Sequence, residues 1–261
     1  MIFMPALLTV YEALQQLLEV FQPVEPESIS ISHALGRVLA EDIHAGTDLP
    51  FFNSSTMDGY ALHSKDVADA NRDHPVLLSV IGDVPAGHPF WGEIKHGQAV
   101  RIMTGGPIPN DADSVIPLED TNLSHQLAGS AVPEEVQVYR SVQAGDYIRE
   151  RGKDARAQEL MIPRGRKLRP QEVGVIAMLG KQRLMVYRRP RLAILPTGDE
   201  LIKVGELLEP GKIYESNSYT LAAQVQQAGG EAVIMGLIAD KFDTVKEALD
   251  QALESKVDLI L

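Results

Sequence analysis

The last third of the chain most narrows the folds open to it. Arg191-Leu-Ala-Ile-Leu195 reads as a buried strand ending in Pro-Thr-Gly-Asp-Glu200. A helix follows near Ser218 to Ala228, closed by Gly229-Gly230, and then a strand from Ala232 to Ile238 that ends at Asp240. A second helix begins at about Thr244, with Asp243 as a candidate N-cap and Val245, Ala248, Leu249, Ala252 and Leu253 on one face; a third strand runs from Val257 to Leu261. Strand-length apolar runs alternating with helical periodicity specify βαβ units and hence a parallel sheet. Such a sheet is covered on both faces and normally has more than three strands. No turn, cap or helix follows the third run, so the sequence is expected to stop inside a domain.

The preceding residues follow a different pattern. Thr9 to Phe21 reads as an amphipathic helix, with Val10, Tyr11, Leu14, Leu17, Leu18 and Phe21 at three- and four-residue steps, capping-box spacing at Thr9 and Glu12, and Pro23 as a stop. Ser28 to Ser32 alternates like a strand. From Pro50 to about Gln143, glycine and proline separate short apolar runs (Val76 to Ile81, Ala99 to Met103, Ser114 to Leu118, Val136 to Val142), which suggests a small β domain or barrel. Pro170 to Leu179 reads as a helix closed by Gly180.

Length and charge exclude several classes of function. With 261 residues the chain is long enough for about two compact units. Its 36 acidic against 24 basic residues give a net charge of −12, which argues against general nucleic-acid or anionic-membrane binding. The absence of cysteine removes disulfides, zinc–thiolate sites, iron–sulfur clusters and thiol nucleophiles. The apolar N-terminus lacks the basic start of a secretory signal, and no uninterrupted apolar stretch is long enough to span a bilayer, so a cytoplasmic protein is expected. Charge is uneven, however. From Arg149 to Arg191 there are 13 Lys/Arg and four Asp/Glu, a local +9 that leaves −21 for the remainder. Most of that stretch reads as a solvated face paired with acidic neighbours; a few of its residues could draw in an anionic substrate.

Ligands of open parallel sheets bind where the strands end at their carboxyl termini. Asp199 and Glu200 follow the first strand and Asp240 the second, a carboxylate rim suited to Mg²⁺ bridging to an oxyanion. Taken singly, each reads first as a helix cap or turn former. A second cluster lies in the β region. Asn53-Ser-Ser-Thr-Met-Asp-Gly59 is rich in hydroxyls and amides, and Arg101-Ile-Met-Thr-Gly-Gly-Pro-Ile-Pro109 places Thr104, Gly105 and Gly106 after a short strand, where glycine amides could cradle an anion. Both are also ordinary hairpin ends, and neither matches a phosphate-loop or dinucleotide fingerprint. Hydrolase motifs are absent, and the seven histidines show no metal-ligand spacing.

Taken in order, Leu49-Pro-Phe-Phe-Asn-Ser-Ser-Thr-Met-Asp-Gly-Tyr-Ala61, the Arg101 to Pro109 stretch, Arg151-Gly-Lys-Asp154, Pro196-Thr-Gly-Asp-Glu-Leu201, Ile213-Tyr-Glu-Ser-Asn217 and Gly236-Leu-Ile-Ala-Asp240 resemble the successive motifs of molybdopterin molybdenumtransferases, the MoeA proteins and the E domain of gephyrin. The resemblance implies a multidomain fold with β-rich domains I and II plus the first part of a parallel-sheet α/β molybdopterin-binding domain. It places an N-terminal helix, 1–22, on domain III, domain I at 23–47 and 144–180, domain II as a β insertion at 48–143, and domain III from 181 to 261. The implied activity is insertion of molybdate into adenylylated molybdopterin with release of AMP in the presence of Mg²⁺.

The implied assembly is a homodimer in which Asp58 and Thr104 of one subunit face Glu200 and Asp240 of the other, with Asp154 nearby. On that resemblance Asp58, Thr104, Glu200 and Asp240 would be catalytic, Ser55, Gly105, Gly106, Asp154, Thr197, Gly198 and Asp199 would bind substrate, and Glu200 and Asp240 would also hold the metal. The upstream molybdopterin adenylyltransferase is a further implied partner. The family continues past the third strand into a Ser/Thr-Ser-Gly-Gly-Val-Ser loop and a domain IV that this sequence does not contain. The alternatives are a catalytically incomplete fragment, a scaffold or binding protein of the same family, and a generic nucleotide-binding α/β domain.

Overall fold

The computed structural model describes residues 8–125 and 130–261. The chain forms two compact units: one comprises the residues up to Ile43 together with Ile162–Leu261, and the other, His44–Met161, is inserted between them.

The inserted unit is built on a five-stranded mixed sheet. Its strands are β1 (Gly59–Leu62), β2 (Val76–Val84), β3 (Gln98–Ile102), β4 (Ser114–Pro117) and β5 (Glu135–Val138), in the order β4-β1-β3-β2-β5. Only the β2/β3 pair is parallel; its register shifts between Val80 and Asp83. Every residue of β1 and β4 is buried, so both faces of the sheet are covered. Alternation divides the core accordingly: Tyr60, Leu62, Leu78, Ala99, Ile116, Val136 and Val138 pack in one cluster, and Ala61, Val84, Val100, Ile102 and Val115 in another. The apolar runs of the sequence thus correspond to strands, with β2 three residues longer than its run and β5 ending at Val138 rather than Val142.

The other unit contains the expected βαβ series. Strands β6 (Arg191–Ile194), β7 (Glu231–Ile234) and β8 (Leu259–Ile260) form a parallel sheet with β6 in the centre. Among the described residues this unit holds four α-helices: α1 (Val10–Val20), α2 (Pro170–Met178), α3 (Asn217–Ala228) and α4 (Phe242–Glu254). A separate antiparallel sheet joins Pro26–Ser30, Arg183–Tyr187 and Val38–Leu39. The first of these strands stops before Ile31 because the Ser30 hydroxyl accepts the Ser32 N–H and starts a 3₁₀ turn.

Helix ends follow local chemistry. The reciprocal Thr9–Glu12 capping box is present at α1, where bonds from Thr9 hold the Glu12 carboxyl below its usual range. In α2, Glu172 accepts the Arg169 N–H and both the Arg166 and Arg169 guanidiniums, Arg169 being the main reason its pKa falls well below normal. The α4 expectation is corrected. Lys241 is the N-cap and Asp243 lies inside the first turn, where a carboxylate complements the helix dipole instead of capping. None of the α1 residues is buried: Val10 is 89% and Tyr11 70% exposed. Periodicity located this helix, but its apolar stripe is not buried among the described residues. No described helix is long and apolar enough to cross a membrane.

Asp258, one residue before β8, fastens that edge strand. It accepts both terminal nitrogens of Arg188 at 2.6 Å and the Arg191 N–H at 2.8 Å. The Arg188 hydrogen bonds lower its pKa from 3.8 to about 2. With the folded pKa depressed, the stabilisation is complete above the unfolded value and disappears as pH falls through the folded one. Asp258→Asn should therefore cost about 1 kcal/mol near neutrality. In urea unfolding, the gap between variant and parent should close between roughly pH 4 and pH 2. A gap of constant size across that range would refute the assignment.

Candidate functional site

The inserted unit brings five candidate residues together. The carboxylate Oδ1 of Asp58 accepts the Thr104 backbone N–H and the Thr104 hydroxyl, both at 2.7 Å. The two positions are adjacent because β1 and β3 pair antiparallel with Gly59 opposite Ile102, which carries the residue before β1 to the loop after β3. Ser55 closes the cluster: its N–H donates to Gly106 O and its carbonyl accepts from Gly105 N–H, at 2.9 and 2.8 Å. Its hydroxyl donates to Met57 O at 2.5 Å. The Gly106 N–H donates to Met103 O at 2.8 Å. Both glycine amides are thus committed within the protein. They shape the loop, and the polar atoms it offers are side-chain oxygens, among them Asp58 Oδ2, which has no hydrogen bond among the described residues.

Asp154 is tied to the same cluster through a residue to which the motifs assigned no role. Ser54–Ser55 pairs antiparallel with Ile148–Arg149, and Arg149 Nη2 donates to Asp154 Oδ2 at 2.5 Å. That bond raises the Arg149 pKa and keeps both members of the pair ionised, a locally neutral ion pair beside the cluster. Nothing in the spacing of Arg149 and Asp154 signals this; it depends on the pairing of two short strands.

The second cluster lies at the carboxyl ends of the parallel strands. Past the regular part of the sheet, Thr197 and Ile238 form one further parallel bridge, with Gly198 N–H donating to Ile238 O at 3.2 Å. Asp199 Oδ1 accepts the Asp240 N–H at 3.2 Å, so Asp199 links the two strand ends. Glu200 folds back over Gly198, whose φ of +152° disfavours a side chain and whose added Cβ would stand 2.9 Å from either Glu200 carboxylate oxygen. Thr197, Gly198, Asp199, Glu200 and Asp240 therefore share one rim, as the βαβ pattern requires.

One residue with no assigned role stands out near this rim. Glu215, 4% exposed, accepts the Ser218 N–H at 2.6 Å and the Ser218 hydroxyl, and so caps the first turn of α3 in place of Ser216, which makes no capping bond. Glu215 and Ser218 also line a cavity of about 160 Å³ with Pro196, Tyr219 and Gly236. Its signal in the sequence was its position within the Ile213 to Asn217 motif.

A unit with a parallel α/β sheet and an acidic rim, whose sequence is interrupted by a β module carrying a carboxylate–hydroxyl pair, defines an α/β protein with a β-rich insertion. Comparison with known proteins makes this particular. Residues 8–180 match the family model described as MoeA N-terminal region (domain I and II), and residues 193–261 the one described as Probable molybdopterin binding domain. The chain is 32% identical over 237 residues to the molybdopterin molybdenumtransferase of Nostoc sp., covering 91% of this chain and 52% of the relative. It is 35% identical over 250 residues to that of Bacillus subtilis, covering 96% and 57%. The crystal structure of the molybdopterin biosynthesis MoeA protein from Pyrococcus horikoshii matches it with a TM-score of 0.85 at 34% identity, over 96% of this chain and 64% of that one. The chain belongs to the MoeA family. It spans about half the length of the curated relatives it matches.

Proposed function

We propose that this chain carries substrate-facing residues of a molybdopterin molybdenumtransferase, which inserts molybdate into adenylylated molybdopterin and releases AMP. The observation that carries the reading is the Asp58–Thr104 pair, two residues 46 positions apart held at 2.7 Å on two of the motifs that mark the family. Thr104 orients the carboxylate through two donors to one oxygen, leaving the other to meet a substrate hydrogen-bond donor. Ser55, Gly105 and Gly106 hold the loop, and Arg149 fixes the Asp154 carboxylate through their ion pair.

Glu200 and Asp240 are the residues that would hold Mg²⁺. Carboxylate oxygens are the donors a hard cation prefers, and both residues belong to one rim. No group of three or more His, Cys, Asp or Glu among the described residues is placed to hold a metal ion. Two carboxylates with substrate oxygens and water completing the shell is the usual arrangement for Mg²⁺. When bound, the ion would offset the charge of phosphate and molybdate as they approach. Thr197, Gly198 and Asp199 set the position of that rim.

In the homodimer this reading expects, one subunit's Asp58 and Thr104 complement the other's Glu200 and Asp240, the domains divide as the motif order implies, and the protein works in the cytoplasm, fed by the adenylyltransferase that makes its substrate. The test is AMP release from adenylylated molybdopterin with Mg²⁺ and molybdate. In the longer protein context of the relatives, Asp58→Ala and Glu200→Ala should each lower turnover at least about 100-fold with circular dichroism unchanged. Undiminished turnover in either variant, or loss of folding in both, would remove the roles assigned to these two carboxylates. Binding of the adenylylated pterin with no AMP formed would replace transfer by a binding function.

A further inference from the structure

The basic stretch resolves into two kinds of arginine. Arg149, Arg151, Arg166, Arg169 and Arg188 each reach a carboxylate within 2.5 to 2.9 Å and are largely neutralised. Arg183, Arg189 and Arg191 have no carboxylate partner among the described residues. Arg183 donates to Ser28 Oγ and O at 3.0 and 2.9 Å, and Arg191 to Ser255 O at 2.9 Å. Neutral acceptors fix these two guanidiniums in place without cancelling their charge. The Arg189 side chain is exposed and makes no hydrogen bond among the described residues.

These three arginines line one open groove of about 920 Å³, along with the hydroxyls of Ser30 and Ser32. Its location separates it from the acidic rim. Arg191 begins β6 and is in register with Glu231, which begins β7 and also lines the groove. The groove therefore lies at the amino ends of the parallel strands, whereas Glu200 and Asp240 lie past their carboxyl ends. Three positive charges sharing a groove repel one another, and none of the three guanidiniums is hydrogen-bonded to a carboxylate among the described residues. In a chain of net charge −12 such a local excess is selective for an anion.

The carboxylates beside the arginines narrow the class of anion. Glu27, itself paired with Arg37, and Glu231 line the same groove, so an extended acidic peptide would meet carboxylates along its length. A compact anion avoids them. Guanidinium forks and serine hydroxyls together suit phosphate oxygens. We propose that this groove is a second anion site that binds a diphosphate group, with Arg189 and Arg191 as its principal donors and Arg183 closing one wall. The proposal does not depend on the transferase reading.

Isothermal titration of the full chain with inorganic pyrophosphate, in EDTA and at low salt, should give saturable binding at one site per chain. Arg189→Gln should weaken it severalfold; its side chain bonds to nothing internal, so folding is not at stake. Arg189→Gln with Arg191→Gln should weaken it at least tenfold, and Glu200→Gln should leave it unchanged. Repeating the titration with ADP separates the sources: equal affinity means the diphosphate alone is recognised, and tighter ADP binding lost in the same arginine variants assigns a nucleotide-borne diphosphate. The proposal is overturned by an absence of saturable binding, by arginine variants that bind as the parent does, by loss in Glu200→Gln instead, or by a glutamate-rich peptide that outcompetes pyrophosphate.

Discussion

Gly59→Ala is expected to destabilise the inserted unit by on the order of 3 kcal/mol or more, with the midpoint of thermal unfolding lowered by roughly 10 °C. An added Cβ would sit 2.0 Å from the Ile116 carbonyl oxygen, 2.9 Å from its carbon and 3.1 Å from Pro117 Cα. All three are backbone atoms, so no rotamer change relieves the contact. Gly59 lies in β1, between Ile102 of β3 and Pro117 of β4, in the middle of a sheet buried on both faces. To admit the methyl group, β4 must move away from β1. That movement would also shift Asp58, whose carbonyl accepts the Leu118 N–H and whose carboxylate holds Thr104. Circular dichroism melts of the two proteins decide the matter. An unchanged midpoint would show that β1 and β4 are not packed this closely at Gly59.

The second large effect is expected from Asp83→Ala, at roughly 3 kcal/mol. Arg101 in β3 is 3% exposed, and its guanidinium is met by both Asp83 oxygens at 2.8 and 2.9 Å, with carbonyls of Ser130 and Ala131 at 3.0 and 3.3 Å. Removing the carboxylate leaves a buried cation whose acceptors among the described residues are neutral, which costs far more than the pair contributes when intact. The diagnostic comparison is the double variant. Arg101→Met with Asp83→Ala should recover much of the loss, since a packed apolar side chain replaces an uncompensated charge. A double variant less stable than Asp83→Ala alone in urea unfolding would show instead that the unpaired Arg101 is not the source of the loss. The position matters for the site as well: Arg101 sits three residues before Thr104, so the pair anchors the strand that delivers that loop.

Much of the architecture was legible in the order of residues. The βαβ series from Arg191 onward, the strands of the inserted unit and the α1 capping box all rest on local periodicity and local hydrogen bonding, which a single stretch of sequence contains. Element ends were less legible. Asp243 reads equally well as an N-cap or as a first-turn acid, because carboxylates are favoured at both positions, and only the backbone distinguishes them. The candidate residues were visible too, and the family was recognisable from six motifs in order, yet none of the contacts among them was.

Sequence alone therefore determined which residue types stand at strand ends and which family they belong to, since those properties are carried by short segments. The tertiary structure decided which charges are spent and which remain. Arg151 is neutralised by Asp48 from 103 positions away, Arg188 by Asp258 from 70 and Glu25 from 163, while Arg189 meets no carboxylate among the described residues. The same holds for Asp58 and Thr104, joined only by the pairing of β1 with β3. Coulomb and hydrogen-bond partners are chosen by distance in space, and for these residues that distance is set by how the strands pair rather than by separation along the chain.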